Sequence, residues 1–329
     1  MRALPFIVLP VLATLMVGCK SQKASAPSWI LAGPARCEAA VSGQASWLLE
    51  QPQFQVQLAK FPMAEQSLDV FLKRAHIAPH GETGRVSLFA MDPIVDYVAR
   101  KTTPQTSSFL LQFQGFRDPK SLQMAVAEAF PIEGSLQVQG NDMPLHVVLD
   151  FNQAHIRILT DLEGNLWLGD LAALTNLGTG GPLPRRHPVL AAAAWIDAEA
   201  PLQGFLRPDA LLKDLSGRLP GDIARELPQG IECLAWSVNP GRGDQPLYSV
   251  QISITGSPEG ILQTTPWMQR ISAIATSIRT SSAAPPELLQ ERNRALLRCQ
   301  LSWDQVTQVL ARLEQPNLLP NPGKKHGHP

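Results

Sequence analysis

The sequence is poor in cysteine, in excess charge and in long apolar runs, and each shortage excludes a class of protein. Its 329 residues include four cysteines and no CxxC pair, so neither a disulfide scaffold nor a cysteine-rich zinc site is expected. Lys plus Arg equal Asp plus Glu, at 28 each, which argues against nucleic acid as a partner because nucleic-acid binders carry basic surfaces. Beyond the first residues, the longest apolar run, Val189 to Ile196, is far shorter than the roughly 20 residues that cross a bilayer.

Sequence motifs for catalysis and for cofactor binding are also missing. The chain has no HExxH, no Walker A motif and no GxGxxG after a predicted strand. Ser257 lies in Gly256-Ser-Pro-Glu-Gly260, which is not a nucleophile elbow, and capping of a helix explains it. Gly178-Thr-Gly-Gly181 precedes prolines rather than a helix start, which disfavours a phosphate site. We therefore predict no catalytic residue and no cofactor, and an enzyme whose residues assemble only in three dimensions stays an alternative.

The amino-terminal segment is the most informative part of the chain. Arg2 precedes an apolar run from Ala3 to Val17, which has the length of a signal-peptide core. The next residues, Met16-Val-Gly-Cys19, resemble the lipobox of bacterial lipoproteins, with Met in place of the usual Leu. The resemblance implies cleavage before Cys19 and lipidation of its thiol. An ordinary secretory signal with an incidental cysteine is the alternative.

A lipidated Cys19 would hold the mature protein on a membrane. Lipoproteins have several acyl chains, and each buried CH₂ contributes ~0.8 kcal/mol, so the expected partner is a lipid bilayer. The polar stretch from Lys20 to Pro27 would span about 15–18 Å as a coil. In Gram-negative sorting an Asp after the cysteine favours the inner membrane, so Lys20 favours the outer membrane, facing the periplasm. An envelope protein is a second expected partner.

Two segments of the remaining chain follow one plan, which predicts an α+β fold of two related modules. In each, an alternating strand (108–115 and 248–255) leads to an N-cap followed by proline, Asp118-Pro119 and Ser257-Pro258. In outline the chain resembles uncharacterised extracytoplasmic bacterial proteins with helix-covered antiparallel sheets, which supply no activity. The predicted divisions are a signal peptide (1–18), a lipidated cysteine with a flexible tether (19–37), a first module (38–177), a linker (178–186), a second module (187–315) and a disordered tail (316–329).

The second module is predicted to be ferredoxin-like, with the order βαββαβ and a terminal helix. Its strands are expected at 190–197, 231–238, 246–255 and 294–301, and its helices at 209–227 and 258–280. This fold places Cys233 and Cys299 at opposite edges of the sheet, and a disulfide needs Cα atoms within about 7 Å. We expect both thiols to be buried and unbonded, whereas the redox state of Cys37 is left open.

Histidine, aspartate and tryptophan supply the remaining candidates for a site. The pairs His76/His80 and His146/His155, and His326 with His328 in the tail, are weak metal candidates, and we predict no metal site. Asp92 and Asp197 follow apolar runs and are interpreted as N-caps. Trp167, Trp195, Trp236 and Trp303 favour a core, with an apolar groove as the alternative, and Trp29 and Trp47 are placed near the bilayer interface.

These observations favour a lipid-anchored cell-envelope protein with a non-catalytic binding or scaffolding role. The first alternative is a carrier of a hydrophobic ligand, such as a lipid, in the periplasm. The second alternative is the enzyme whose site is invisible in the sequence.

Overall fold

A computed structural model describes most of the predicted folded body. The described residues are 26–34, 37–51, 84–91, 109–115, 118–138, 140–151, 154–179, 183–184, 187–208, 229–240, 247–280, 283–302, 304–306 and 308–309. The predicted signal peptide, Asp92, Trp303, the helix at 209–227 and the tail all lie outside these residues. No helix within the described ranges is long and apolar enough to cross a membrane.

Twelve strands and several helices form the described body. The helices are α1 (Ser28–Ala32), α2 (Ala45–Glu50), α3 (Pro119–Ala129), α4 (Leu171–Thr179), α5 (Pro188–Ala193) and α6 (Pro258–Ile278). The strands are β1 (Ala39–Gln44), β2 (Arg85–Ala90), β3 (Phe109–Gln114), β4 (Ile132–Val138), β5 (Asn141–Phe151), β6 (Ala154–Thr160), β7 (Leu166–Gly169), β8 (Leu202–Leu206), β9 (Ile231–Pro240), β10 (Tyr248–Gly256), β11 (Glu287–Glu291) and β12 (Arg294–Leu301).

All twelve strands belong to one antiparallel sheet, which confirms the α+β class. Their order is β11-β12-β10-β9-β8-β1-β2-β3-β7-β6-β5-β4. The first strand of each predicted module, β1 and β8, pair with each other in the middle of the sheet. Outward from this pair, each side adds two more strands and then the last strand of its module, β7 beside β3 and β12 beside β10.

Helices cover both faces of the sheet. On the face that we call the back, α6 packs Ile261 and Met268 against strand residues such as Ile252, and α3 packs Leu122 against Phe113. On the opposite face, the front, residues of α1, α4 and α5 share one core with the sheet. These buried front-face residues include Trp29, Ile30, Phe89, Leu110, Leu174, Val189, Ala192 and Phe205.

The helix starts predicted at Asp118 and Ser257 are confirmed. Asp118 caps α3 by accepting a hydrogen bond from the Ser121 amide at 3.0 Å. Ser257 caps α6 by accepting from the Gly260 amide at 3.0 Å. Both helices have proline at the first turn, where its missing N–H costs no hydrogen bond. These motifs are local, so the sequence alone determines them.

The ferredoxin-like arrangement is wrong in two respects. Residues 190–193 of the predicted strand 190–197 belong instead to helix α5 (Pro188–Ala193), because Pro188 suits the first turn and alanine is the best helix former. The first strand of this module is β8, which lies at 202–206. A ferredoxin-like sheet would place its first strand between the third and fourth, whereas β10 here contacts β9 and β12 directly.

The tether predicted over 19–37 is also too long at its carboxyl end. Residues 28–32 form α1, and Trp29 and Ile30 are each 1% exposed. Trp29 lies between Phe89 and Phe205, with ring centroids 5.9 and 6.0 Å away. The folded body therefore includes α1, and Trp29 is a core residue rather than an interfacial one.

The three described cysteines are free and buried, as predicted for Cys233 and Cys299. The physical reason differs from the one expected. Cys233 and Cys299 flank β10 on β9 and β12, and their cross-strand partners on β10, Thr255 and Val250, are of opposite parity, so the thiols lie on opposite faces. Burial raises the pKa of each of the three thiols well above its ordinary value, so these cysteines are unreactive in the folded protein.

His187 is expected to make the stability of the fold depend on pH. Its Nδ1 accepts a hydrogen bond from the Val189 amide at 3.3 Å and caps α5. Burial and then the Arg207 charge lower the pKa of His187 below 6.5, so the unfolded chain binds this proton more tightly. We expect urea midpoints to fall as the pH drops below about 6.5. In His187→Asn, which keeps an N-cap, this dependence should shrink, and an unchanged dependence would contradict the assignment.

Candidate functional site

A row of buried polar side chains crosses the front face at the centre of the sheet. Successive cross-strand partners in this row are Gln112, Ser87, Ser42, Gln203, Ser237 and Gln251. The first five are 0% exposed. Polar groups in such a position destabilise a fold unless they are hydrogen-bonded. The hydrogen-bond partners of these side chains therefore show which segments of the fold the row holds together.

Gln203 fastens α1 and the loop before β8 to the sheet. Its Oε1 accepts the indole N–H of Trp29 at 2.5 Å. Its Nε2 donates to the backbone oxygens of Ala198 at 2.6 Å and Ala200 at 3.0 Å. The side-chain amide of Gln203 thus supplies hydrogen bonds to two separate segments, α1 and the loop before β8.

The serines and Arg85 continue this network. Ser87 donates to Ser42 Oγ at 2.8 Å. Arg85 donates to the same oxygen at 3.2 Å and to the Ala200 carbonyl at 2.7 Å. Burial lowers the pKa of Arg85 to about 10, against the opposing effect of Glu199. Arg85 thus stays charged at neutral pH and fixes the same loop as Gln203.

Gln112 is the exception in the row. Neither its Nε2 nor its Oε1 has a hydrogen-bond partner in the described part of the chain, although the side chain is fully buried. Methionine has a similar unbranched shape without the amide. We expect Gln112→Met to stabilise the protein by about 1–2 kcal/mol, because it removes an unpaired buried polar group. Urea unfolding measures this change, and a loss of stability would show that the amide has a partner.

A pocket of about 310 Å³ lies at one end of this row. Its floor includes Trp167 and Met143, which are 2% and 4% exposed. Trp167 is the cross-strand neighbour of Gln112. Leu31 of α1 and Leu162 of the β6–β7 turn also line the pocket and are 54% and 61% exposed. They therefore stand at its mouth.

Asp161 shapes the wall of the pocket. Its Oδ1 accepts from the amides of Glu163 and Asn165 at 3.0 and 2.9 Å. Its Oδ2 accepts from Asn165 Nδ2 at 2.8 Å and from the Trp167 indole N–H at 2.9 Å. Both oxygens hold the β6–β7 turn, which keeps Leu162 at the mouth. The carboxylate thus has a structural role.

His146 and His155 are not cross-strand partners in the β5–β6 hairpin. His146 pairs with Ile158 across the hairpin, and His155 pairs with Asp150. His146 is buried, with Nδ1 3.0 Å from the Phe130 carbonyl oxygen. Within the described ranges, no group of three His, Cys, Asp or Glu side chains is arranged to hold a metal. His76, His80, His326 and His328 lie outside those ranges.

Asp197 and the tryptophans are placed by the structure. Asp197 caps a turn instead of a helix, because its Oδ1 accepts from the Glu199 amide at 2.9 Å and its Oδ2 from Asn239 at 2.7 Å. Trp167 and Trp236 are core residues, as predicted. Trp195 is half-buried beneath the Arg294 guanidinium, 4.1 Å from the ring centroid. Trp47 is half-buried and packs on the back-face core.

Neither the pocket nor the polar row is predicted from the sequence. The only trace of the polar row in the sequence is a polar residue within each apolar strand, such as Gln112 between Leu111 and Phe113. These residues form a row only when the strands are paired in the observed register. The pocket residues come from α1, β3, the β4–β5 hairpin, the β6–β7 turn, β7 and α4. Comparison of the chain with protein-family models, curated proteins and solved structures finds no significant match.

Proposed function

We propose that the chain is a lipid-anchored cell-envelope protein whose front-face pocket binds a small group without catalysis. The anchor rests on the resemblance of residues 16–19 to a lipobox. The observation that carries the binding role is the pocket itself, which opens beside α1. The pocket is thus built partly from the segment that leads to Cys19.

The size and the lining of the pocket support binding of a small group. Its volume of about 310 Å³ is at the lower end of the roughly 300–1,000 Å³ typical of small-molecule sites. This favours a head group or a single side chain over a whole lipid molecule. The floor side chains Met143 and Trp167 offer apolar contact.

The engagement of Asp161 supports a binding role over a catalytic one. A general acid or base needs a free position towards the substrate. Both oxygens of Asp161 already accept two hydrogen bonds each from the β6–β7 turn and Trp167. The Asp161 carboxylate therefore serves to hold the wall of the pocket in place.

We also infer that the sheet is made of two related modules, one on each side of the β1–β8 pair. Gln112 and Gln251 occupy corresponding places in the polar row. Each precedes its helix N-cap, Asp118 or Ser257, by six residues. The matching order of strands supports the same inference, although the first module has an extra hairpin, β4–β5, at its edge.

Replacement of the proposed lipidation site tests the anchor. In cells of a bacterium that processes lipoproteins, we expect Cys19→Ser to abolish incorporation of labelled palmitate and to leave a larger, unprocessed chain on electrophoresis. Serine has no thiol to form the thioether. Cys37→Ser is the matched control, since its hydroxyl can still donate to the Ala39 and Ala90 carbonyls that the thiol contacts. Equal labelling of both variants would refute the anchor.

A further inference from the structure

We propose that the mouth of the pocket docks on a zwitterionic bilayer through Leu31 and Leu162. The inference rests on the proposed lipid anchor and adds an orientation to it, with the front face of the first module turned towards the membrane. Its basis is the length of chain before α1, together with the side chains at the pocket mouth.

The chain before α1 is too short to let the pocket move far from the membrane. Nine Cα–Cα steps separate Cys19 from Ser28, which itself lines the pocket. Fully extended, they cover about 30 Å, at no more than ~3.6 Å per residue. Burial of Trp29 then fixes α1 to the body. The acyl chains therefore hold the mouth of the pocket close to lipid at a high effective concentration, so a weak contact is enough to orient the protein.

Two leucines at the mouth can make that contact. Leu31 and Leu162 belong to separate elements, both line the same pocket, and both have more than half of their surface exposed. Burial of Trp29 holds α1 in place, and the Asp161 hydrogen bonds hold the β6–β7 turn. Exposed apolar residues that share one opening indicate an interaction surface rather than isolated surface residues.

The charge of the side chains that line the pocket indicates which lipid head groups the surface can bind. Of the described residues that line the pocket, Asp161 and Glu163 are acidic and none is basic. The negative charge of these carboxylates repels anionic lipid, whereas it attracts the ammonium group of a zwitterionic head group. We therefore assign a zwitterionic phospholipid surface as the partner.

Site-specific fluorescence of the lipidated protein tests this orientation. Leu162→Cys and Leu262→Cys are labelled with an environment-sensitive dye, and the buried native thiols leave the new cysteine as the reactive one among those described. Leu262 is the matched control, because it is 67% exposed and lies on α6, on the back face. The proteins are reconstituted in phosphatidylcholine vesicles with and without doxyl-labelled lipid.

The expected result is a blue shift and quenching of the dye at position 162, with neither at position 262. Vesicles containing phosphatidylglycerol should reduce the quenching at 162. Equal quenching at both positions, no quenching at 162, or stronger quenching with the anionic lipid would each overturn the docking proposal. Flotation of the same samples distinguishes the docking proposal from the anchor proposal. Protein that floats without quenching at 162 refutes the docking alone. Protein that fails to float refutes the anchor as well.

Discussion

Trp29→Ala is expected to lower the free energy of unfolding by about 3–5 kcal/mol, the range for removing a large aromatic side chain from a core. The indole is 1% exposed, contacts Phe89 and Phe205, and donates to Gln203. Its loss leaves a cavity at the middle of the sheet and an unpaired Gln203 Oε1. Against a total stability of about 5–15 kcal/mol, this is a severe loss, measured as a lower urea midpoint of the purified mature protein.

Two further variants separate the causes of that loss. Leu31→Ala, on the same short helix but 54% exposed, should change stability by no more than about 0.5 kcal/mol. Trp29→Phe keeps a ring but loses the donor, and should cost about 1–3 kcal/mol for the orphaned amide oxygen. A cost for Trp29→Ala no larger than that of Leu31→Ala would show that α1 is not part of the core.

Gly204→Ala is the second substitution with a large expected effect. A Cβ on Gly204 would collide with Cζ2 of the Trp236 indole, its cross-strand partner on the back face. Both strands are held by neighbours on either side, so the backbone has little room to move. We expect a loss of about 1–3 kcal/mol or more from overpacking, measured by urea unfolding.

A double-mutant cycle tests whether the collision is the cause. Trp236→Phe shortens the ring and removes an indole N–H that has no partner among the described residues. In that background Gly204→Ala should cost less, with a coupling of about 1–2 kcal/mol. Gly134→Ala is the control, because a Cβ there meets nothing within 4 Å, and it should be neutral or slightly stabilising. Equal costs for the two alanine substitutions would contradict the close packing at Gly204.

Local features of the fold could be predicted from sequence, and long-range pairing could not. The helix caps at Asp118 and Ser257 follow from hydrogen bonds within three residues. Strand 294–301 is predicted with its observed bounds because most of its positions are apolar. The order of strands depends on register between distant segments, such as Ser42 with Gln203, and no local pattern encodes it.

Two errors have different physical origins. The run Val189–Ile196 is continuously apolar, so periodicity could not separate a buried strand from a buried helix. Pro188 at the first turn and the alanines that follow favour the helix. Trp29 follows a polar stretch and was assigned to a tether, although its neighbours Ile30 and Leu31 are apolar. Only the aromatic partners from β2 and β8 show that it belongs to the core.

The proposed lipid at position 19 would hold this two-sided sheet beside a bilayer. Mass spectrometry of the amino-terminal peptide of mature protein, extracted from its native membranes, is the decisive measurement. We expect the chain to begin at Cys19 and to carry a thioether-linked diacylglycerol on that sulfur. A mature chain that begins at any other residue, or an unmodified Cys19, would overturn the proposed anchor.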